Sequence, residues 1–352
     1  MLEIQRFIQQ NENWEEKLQQ KPYCLLIKED GNLVLFKYNQ IDSKMNKRIC
    51  QEARGLILEK NTWKVVRCAF FKFFNYGESN AADIDFDSAK VQEKVDGSLI
   101  SLYYYNGWQV ATNGTINAKD AFLQFQNDKY ETYYDLFSKA SENINLNSLN
   151  KNYTYTFELT SKYNKVVIPH GEPKLTHIAT RDNITLEELD EDIGVEKPKS
   201  YKFSSVEDII ESAKKLPYNE EGYVIVDRNW NRLKVKSPAY VAIHHMKENG
   251  KMSNSKMIRL VMKGEKEEFL TYFSEYKEDF EKVEKLFNQY VSKLKKDLKD
   301  AQRSKFNNRS SFAKWAKDRK SPHMLFMWYD HKISTVEEYI SLLDEKKLQN
   351  VL

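Results

Sequence analysis

The chain has 352 residues, of which 41% are hydrophobic and 30% are charged, so it has material for two domains and is too apolar to be disordered. A formal net charge of +3 is too small to indicate a nucleic-acid partner by itself. No apolar run is as long as a membrane span, and the three cysteines, Cys24, Cys50 and Cys68, have no C-x-x-C spacing that would suggest a zinc site. These features predict a cytoplasmic protein with no membrane partner.

The first part of the chain is predicted to form short strands after an initial helix. Two hairpins are predicted, one turning at Asp30-Gly31 and one turning at Asn106-Gly107, because each turn is flanked by β-branched or aromatic residues. The further predicted strands are RGLILE, WKVVRCAF, YTYTFELT, KVVIP, THIAT, EGYVIVD and RLKVKS, with helical stretches near 118–139 and 206–215. We therefore expect an α+β domain built on antiparallel sheets over residues 1–243.

The strand signal stops near residue 240. Apolar residues then recur at steps of four and three, which predicts one long amphipathic helix. Its apolar positions are Phe269, Phe273, Tyr276, Phe280, Val283, Phe287, Val291, Leu294 and Leu298. We expect an all-helical C-terminal domain over residues 244–352.

The segment Glu93-Lys94-Val95-Asp96-Gly97-Ser98 precedes one of these strands. By itself a K-x-D-G match is weak, since a lysine beside acidic residues is ordinarily a surface charge pair and Asp-Gly is ordinarily a turn. Its meaning depends on what accompanies it elsewhere in the chain.

Other segments supply groups that an attack by a lysine amine on a nucleoside triphosphate would need. Lys234 and Lys236 alternate along RLKVKS, so on a strand both face one side, where they could neutralise phosphate charge and favour the free amine of Lys94. Glu158 and Glu221 offer oxygen atoms of the kind that magnesium or a ribose hydroxyl binds.

The ordered set ARGLIL, KFFNYGE, EKVDGS, TFELT, EEGYVIV and RLKVKSPAYV resembles the ATP-dependent RNA ligase 1 family, typified by the tRNA-repair ligase of T-even phages, over residues 20–245. The resemblance implies a covalent nucleotidyltransferase. In this reaction Lys94 takes AMP from ATP and passes it to an RNA 5′-phosphate, and an RNA 3′-hydroxyl then attacks with release of AMP.

The resemblance also implies roles for the matched residues. Lys94, Asp96 and Gly97 match the nucleotidyl motif, and Glu93 would read the adenine amino group. Arg54 and Lys72 match residues that engage the ribose and phosphates of ATP, and Lys234 with Lys236 would hold the phosphates. Glu158 would hold ribose or metal, and Glu221 would support the metal beside Lys94. The expected cofactors are ATP and Mg²⁺ or Mn²⁺.

The expected partner is RNA with 5′-phosphate and 3′-hydroxyl ends, with broken tRNA as one form of it, in the host cytoplasm if the chain comes from a phage. No G-x-x-x-x-G-K-[ST] loop is present, so a separate end-healing kinase or phosphatase is also expected.

Two other functions stay open. The first is another member of the same superfamily, a DNA ligase or an mRNA-capping enzyme, although those usually place an OB-fold barrel where helices are predicted here. The second is a non-catalytic RNA-binding protein on a ligase fold, which would be expected to have lost a nucleophile or a phosphate lysine.

The C-terminal domain carries a basic segment between residues 293 and 320, where eleven lysines and arginines face three aspartates. Phe306, Phe312 and Trp315 are interleaved with these charges. This pattern fits phosphate contacts with base stacking, and it equally fits buried aromatics beneath a solvated face. We hypothesise that this domain guides structured RNA towards Lys94.

Overall fold

The computed structural model describes residues 1–123, 129–168, 170–245, 252–344 and 347–348. The chain forms two compact units, Met1–His244 and His245–Leu352. The described strands are β1 (Leu26–Asp30), β2 (Leu33–Lys37), β3 (Arg54–Glu59), β4 (Val65–Arg67), β5 (Phe74–Asn75), β6 (Lys90–Glu93), β7 (Ser98–Tyr104), β8 (Trp108–Thr112), β9 (Tyr153–Thr160), β10 (Lys174–Asp182), β11 (Glu188–Leu189), β12 (Ser200–Tyr201), β13 (Gly222–Val226) and β14 (Arg232–Lys236). All of them lie in the first unit.

The helices of the first unit are α1 (Glu3–Gln10), α2 (Trp14–Gln19), α3 (Arg48–Glu52), α4 (Tyr133–Ala140), α5 (Val206–Ala213) and α6 (Pro238–His245). Those of the second unit are α7 (Asn254–Lys263), α8 (Lys266–Tyr272), α9 (Lys277–Arg303), α10 (Arg309–Ala316), α11 (Pro322–Tyr329) and α12 (Val336–Ser341). None of the helices in the described part of the chain is both long and apolar enough to cross a membrane.

Three sheets build the first unit, in the orders β1-β2-β3-β4, β11-β10-β9-β7-β8 and β12-β6-β13-β14-β5. Nearly every pairing is antiparallel, and β14 with β5 is the parallel one among the described strands. The predicted α+β class with antiparallel sheets is confirmed, and both predicted hairpins are present as β1–β2 and β7–β8.

The third sheet positions several predicted site residues, since β6 ends just before Lys94 and β14 contains Lys234 and Lys236. One face of this sheet packs Val91, Ile225, Leu233 and Val235 into a core against α5. The alternate residues of β14 therefore project from the opposite face, as the period of two along a strand requires.

Two predicted elements of the first unit are wrong. The segment KVVIP is not a strand over Lys165–Ile168, and its last residue, Pro169, lies outside the described residues. The amides of Val167 and Ile168 donate to the carboxylate of Asp96 and not to a neighbouring strand.

The helix predicted near 118–139 is present only in part. A 3₁₀ turn forms at Ala118–Asp120 and α4 follows, with residues 124–128 outside the described part. Thr132 caps α4 and fixes where it begins.

In the second unit the described elements are helices. The predicted single long helix is wrong at its start, because the chain turns at Phe273 and a 3₁₀ turn over Ser274–Tyr276 separates α8 from α9. Within α9 the spacing holds, since Phe280, Phe287 and Leu294 are fully buried. Phe312 is also fully buried, which favours the second of the two alternatives for it, a buried aromatic residue beneath a solvated face.

β13 and β14 approach each other closely at Gly222. It has a φ of 138°, and a Cβ placed on it would lie 2.2 Å from the carbonyl oxygen of Val235 on β14. We expect Gly222→Ala to lower the free energy of unfolding by about 3 to 5 kcal/mol, since backbone strain adds to overpacking.

Gly31→Ala is the matched control, because Gly31 has a φ of 54° and a Cβ placed on it would meet no atom within 4 Å. It should lose only the left-handed strain of about 1 to 2 kcal/mol. Urea denaturation of both variants measures the difference, and equal losses would contradict the close approach of the two strands.

Candidate active site

Lys94 directly follows β6 and is fixed by backbone pairing. Its amide donates to the carbonyl of Gly222 at 2.9 Å, and Glu93 lies opposite Tyr223 in the β6–β13 ladder. The Nζ atom of Lys94 lies 2.9 Å from Oε2 of Glu221, and the side chain is 21% exposed. The amine is therefore oriented by an ion pair and still open to a ligand.

Glu221 binds two ammonium groups at once. Its Oε2 faces Lys94, while its Oε1 lies 3.1 Å from Nζ of Lys236. Burial by itself raises the pKa of the Glu221 carboxyl, but Lys94 and Lys236 lower it more, so this pKa lies below the usual value. A buried carboxylate kept ionised between two lysines is the centre of the site.

Asp96 is held by protein groups on both carboxylate oxygens. The amides of Val167 and Ile168 donate to Oδ2 at 3.0 and 2.7 Å, and the hydroxyl of Tyr240 donates to Oδ1 at 2.9 Å. Burial raises the pKa of Tyr240, so its hydroxyl stays protonated and remains a donor. In this structure Asp96 fixes the loop that follows Lys94.

Gly97 lets that loop lie against β9. A Cβ placed on Gly97 would lie 2.6 Å from the carbonyl oxygen of Leu159 and 3.0 Å from the side chain of Glu158. The absent side chain therefore brings the Lys94 loop and Glu158 together.

Glu158 lies on β9, opposite Leu99 of β7, in the second sheet. Desolvation inside the site raises the pKa of its carboxyl to about 7, with Lys94 and Arg54 opposing that change and Glu221 adding to it. Such a carboxyl is half-ionised near neutral pH, and its ionised oxygens are hard donors that suit a divalent cation or a ribose hydroxyl.

Lys234 and Lys236 share one face of β14, as the alternation predicted. Their settings differ, since Lys236 is bound to Glu221 and Lys234 lies with its Nζ 5.6 Å from the ring centroid of Phe73. The two lysines thus place positive charge at successive positions along the strand, one beside Lys94 and one beside the aromatic loop that contains Lys72.

Arg54 and Lys72 meet around Tyr38. The Arg54 guanidinium lies 4.7 Å from the ring centroid of Phe70, and one of its terminal nitrogens is buried without a hydrogen-bond partner among the described residues. Lys72 Nζ lies 5.7 Å from the Tyr38 ring centroid. Burial by itself raises the pKa of Tyr38, but Lys72 and Arg54 lower it below its usual value. An orphaned cationic donor in such a cluster suits a phosphate.

Tyr38 and Tyr240 are site residues that the sequence reasoning missed. Tyr240 stood in the quoted segment RLKVKSPAYV, but nothing in the spacing links it to Asp96, which is 144 positions away. Tyr38 follows β2, and its setting depends on cations from two other segments. Both roles arise from long-range packing.

Glu93 lines a small cavity of about 80 Å³ together with Lys94, His170, Tyr201 and Tyr223. Aromatic rings beside a carboxylate are the kind of surface that a purine uses, and adenine recognition by Glu93 stays a prediction. Among the described residues, no group of three or more His, Cys, Asp and Glu side chains is arranged to hold a metal ion. Glu158 is the carboxylate that fits a metal ligand most directly, because each oxygen of Glu221 already binds a lysine.

Comparison with known proteins gives consistent matches. A model of the RNA ligase family matches residues 52–240. A bifunctional polynucleotide kinase/RNA ligase of Autographa californica nuclear polyhedrosis virus is 33% identical over 269 residues, covering 70% of this chain and 38% of the relative. An RNA ligase of Rhodothermus phage RM378 is 31% identical over 188 residues, covering 45% of this chain and 43% of the relative.

Among solved structures, an archaeal ATP-dependent RNA ligase superposes with a TM-score of 0.46 at 14% identity, covering 69% of this chain and 66% of that one. The chain spans less than half the length of the viral and phage relatives named above.

The raised pKa of the Glu158 carboxyl predicts how the free energy of unfolding depends on pH. A carboxyl whose pKa is 4.5 in the unfolded chain and about 7 in the folded chain contributes stability that is complete below 4.5 and is lost as pH rises through about 7. Glu158→Gln cannot ionise and so escapes that loss. We expect the variant's free energy of unfolding to rise relative to wild type across this interval, by up to about 3 kcal/mol.

Urea denaturation of both proteins at several pH values measures this difference, and all other titrating groups cancel from it to first order. A difference that is constant across the interval would mean that Glu158 is not desolvated in the folded site.

Proposed function

This chain belongs to the RNA ligase family, and we propose that it joins RNA ends in an ATP-dependent reaction with Lys94 as the residue that carries AMP. One observation carries the proposal: the amine of Lys94, partly exposed, is aimed by Glu221 while Lys236 binds the other oxygen of the same carboxylate. The proposed nucleophile, the group that orients it and a cation that can bind phosphate are thus held together.

In the first step Nζ of Lys94 attacks the α-phosphorus of ATP. A nitrogen–phosphorus bond forms, the bond from the α-phosphorus to the bridging oxygen breaks, and pyrophosphate leaves. The attacking amine must be neutral, so Lys94 first gives up a proton to solvent. Lys236 remains on Glu221 when that happens, and the buried carboxylate therefore does not become an unpaired charge.

In the second step an oxygen of the RNA 5′-phosphate attacks the phosphorus of the Lys94 adduct, and Lys94 leaves as the amine. In the third step the 3′-hydroxyl of another RNA end attacks that 5′-phosphorus, the new phosphodiester forms, and AMP leaves. Lys94 is then ready for another ATP.

The surrounding residues take these proposed roles. Arg54 and Lys72, with Tyr38 between them, bind the outer phosphates, because one nitrogen of Arg54 is a buried donor without a described partner. Lys234 and Lys236 neutralise charge as the phosphates react. Asp96 and Gly97 hold the Lys94 loop in place through Tyr240 and β9.

A divalent cation, Mg²⁺ or Mn²⁺, would neutralise phosphate charge when bound. Glu158 would hold this ion or the ribose hydroxyls of the nucleotide, since its carboxyl is close enough to Lys94 and Arg54 for both to influence its pKa. Glu221 would support the ion beside Lys94. Glu93 would recognise adenine from the small cavity behind Lys94.

Repair of broken RNA, with tRNA as one form of it, is the proposed setting. The relative from Autographa californica nuclear polyhedrosis virus is named as both a polynucleotide kinase and an RNA ligase. A kinase and phosphatase that supply 5′-phosphate and 3′-hydroxyl ends are accordingly proposed partners.

We further propose that the helical unit contributes RNA affinity. Part of its basic segment is already neutralised, since Lys295 binds Glu337 at 2.7 Å and Arg309 binds Asp330. The exposed cations of this segment are the ones that we propose contact phosphates: Lys293, Lys296, Lys299, Arg303, Lys305, Lys314, Lys317 and Lys320.

The function is tested by incubating the protein with ATP, a divalent cation and four substrates in turn: 5′-phosphorylated single-stranded RNA, nicked duplex, broken tRNA stem-loops and DNA. We expect RNA to be joined and Lys94→Ala to fall to the background rate, because this variant lacks the amine that we propose takes AMP. Lys90→Ala is the matched control and should keep wild-type activity, since Lys90 lies on β6, the strand that Lys94 follows, but is exposed and paired with Asp190.

Joining of RNA by Lys94→Ala at the wild-type rate would overturn the proposal. Joining of DNA with equal efficiency would favour the DNA ligase alternative, and the absence of any AMP adduct on the wild-type protein would favour a non-catalytic RNA-binding role.

A further inference from the structure

A second cavity, of about 340 Å³, opens beside the cluster that contains Lys72 and is separate from the small cavity behind Lys94. Its lining has four basic side chains and two acidic ones: Arg48, Lys72, Arg181 and Arg232, with Glu187 and Glu188. The buried carboxylate of Glu188 is already bound by Arg181 and, at 2.6 Å, by Arg232. The cavity is therefore cationic and has the size of a single nucleotide rather than that of a metal ion.

Aromatic rings line the same cavity. Phe71 lies between two guanidinium groups, with Arg48 at 4.1 Å and Arg181 at 4.4 Å from the ring centroid. Trp230 contributes a second ring from the turn between β13 and β14. Cations interleaved with aromatic faces are what a stacked nucleobase with its phosphate requires.

Trp230 occupies its position at a conformational cost. Its φ is 62°, in the left-handed region that disfavours bulky residues. The carboxylate of Asp227 fixes the turn by accepting from the amides of Asn229 and Asn231, both at 2.9 Å. A strained aromatic residue that is held at the edge of a cationic cavity indicates a role in binding.

One face of β14 links this cavity to Lys94. Lys236 shares Glu221 with Lys94, Lys234 lies two residues before it, and Arg232 lines the cavity two residues further. Two such steps along a strand span roughly 13 to 14 Å. The cations therefore run continuously from the reacting lysine to the cavity.

The chemistry of the reaction indicates which part of the substrate lies in the cavity, at the end of the series of cations furthest from Lys94. In each displacement at phosphorus the incoming and leaving groups lie in line. The 5′-phosphate that attacks the Lys94 adduct must therefore approach opposite Lys94, at the position that pyrophosphate vacates beside Arg54, Lys72 and Lys234. The nucleoside attached to that phosphate extends further away from Lys94.

We infer that the cavity bounded by Phe71 and Trp230 binds the 5′-terminal nucleotide of the RNA strand that receives AMP, an inference that rests on the proposed ligase function. The base stacks on Trp230, and Arg48 binds the phosphate that follows it in the strand. The 5′-phosphate itself lies beside Arg54, Lys72 and Lys234. The cavity thus selects strands that begin with a 5′-phosphate and positions that phosphate for transfer.

The first test removes the Trp230 ring without adding strain. Trp230→Asn suits the left-handed backbone, and Trp230→Phe keeps a ring. The probe is a short single-stranded RNA with a 5′-phosphate, compared with the same RNA carrying a 5′-hydroxyl, in the absence of ATP and divalent cation. We expect Trp230→Asn to bind the phosphorylated RNA roughly tenfold to a hundredfold more weakly than wild type, and Trp230→Phe to restore most of the affinity.

The second test removes one charge from the cavity. Arg48→Gln should weaken binding of the phosphorylated RNA and make the slope of log affinity against log salt shallower by about 0.7, the value for one phosphate contact on a single strand. Arg228→Gln is the matched control, because Arg228 lies on the same turn as Trp230, is exposed and pairs with Asp85 outside the cavity. It should leave both quantities unchanged.

Three results would overturn the inference: wild-type affinity of Trp230→Asn for the phosphorylated RNA, an equal loss for the phosphorylated and hydroxyl RNAs, or slower loading of AMP from ATP with unchanged RNA binding. The last result would assign the cavity to the outer part of ATP. Because the tests measure binding without ATP, a wild-type protein that binds the phosphorylated RNA but joins nothing would contradict the ligase function and leave the nucleotide site standing.

Discussion

The carboxylate of Glu221, shared between Lys94 and Lys236, is the interaction on which the rest of the site depends. Two ammonium groups at 2.9 and 3.1 Å from its oxygens compensate a nearly inaccessible negative charge, and the carboxylate in turn keeps the two lysines close despite their repulsion. A neutral residue at this position would leave two cations facing each other with no counter-charge, and a lysine alone would not be aimed. Charge compensation and orientation of the proposed nucleophile come from one group.

The third sheet makes that arrangement possible. β13 lies between β6 and β14, so the pair Glu221-Gly222 borders both the end of β6, where Lys94 follows, and Lys236 of β14. The second sheet then adds Glu158 from β9, across the loop that Gly97 allows to pack closely. The site is thus assembled from strands whose registers are set by backbone pairing, and such positions are more rigid than positions on loops.

Much of this could be predicted from sequence because it depends on local periodicity. The alternation of Lys234 and Lys236 and the hairpin turns follow from a repeat of two along a strand, and the buried residues of α9 follow from the helical repeat. The contacts that sequence could not supply are long-range: Tyr240 with Asp96, the amides of Val167 and Ile168 with the same carboxylate, and Tyr38 with Lys72. KVVIP was predicted to be a strand because its residues are apolar and β-branched. In the structure its amides donate to the carboxylate of Asp96 and not to a neighbouring strand.

Every step of the proposed reaction requires that Lys94 itself becomes bonded to AMP. The most direct measurement is to incubate the purified chain with ATP and Mg²⁺ or Mn²⁺, record the intact mass, and then locate any adduct by peptide sequencing in a mass spectrometer under conditions that preserve the phosphoramidate. We expect a mass increase of one AMP, carried by the peptide that contains Glu93-Lys94-Val95-Asp96, and loss of this added mass when pyrophosphate is supplied. An adduct on another lysine, or an unmodified chain after incubation with nucleotide and metal, would contradict it.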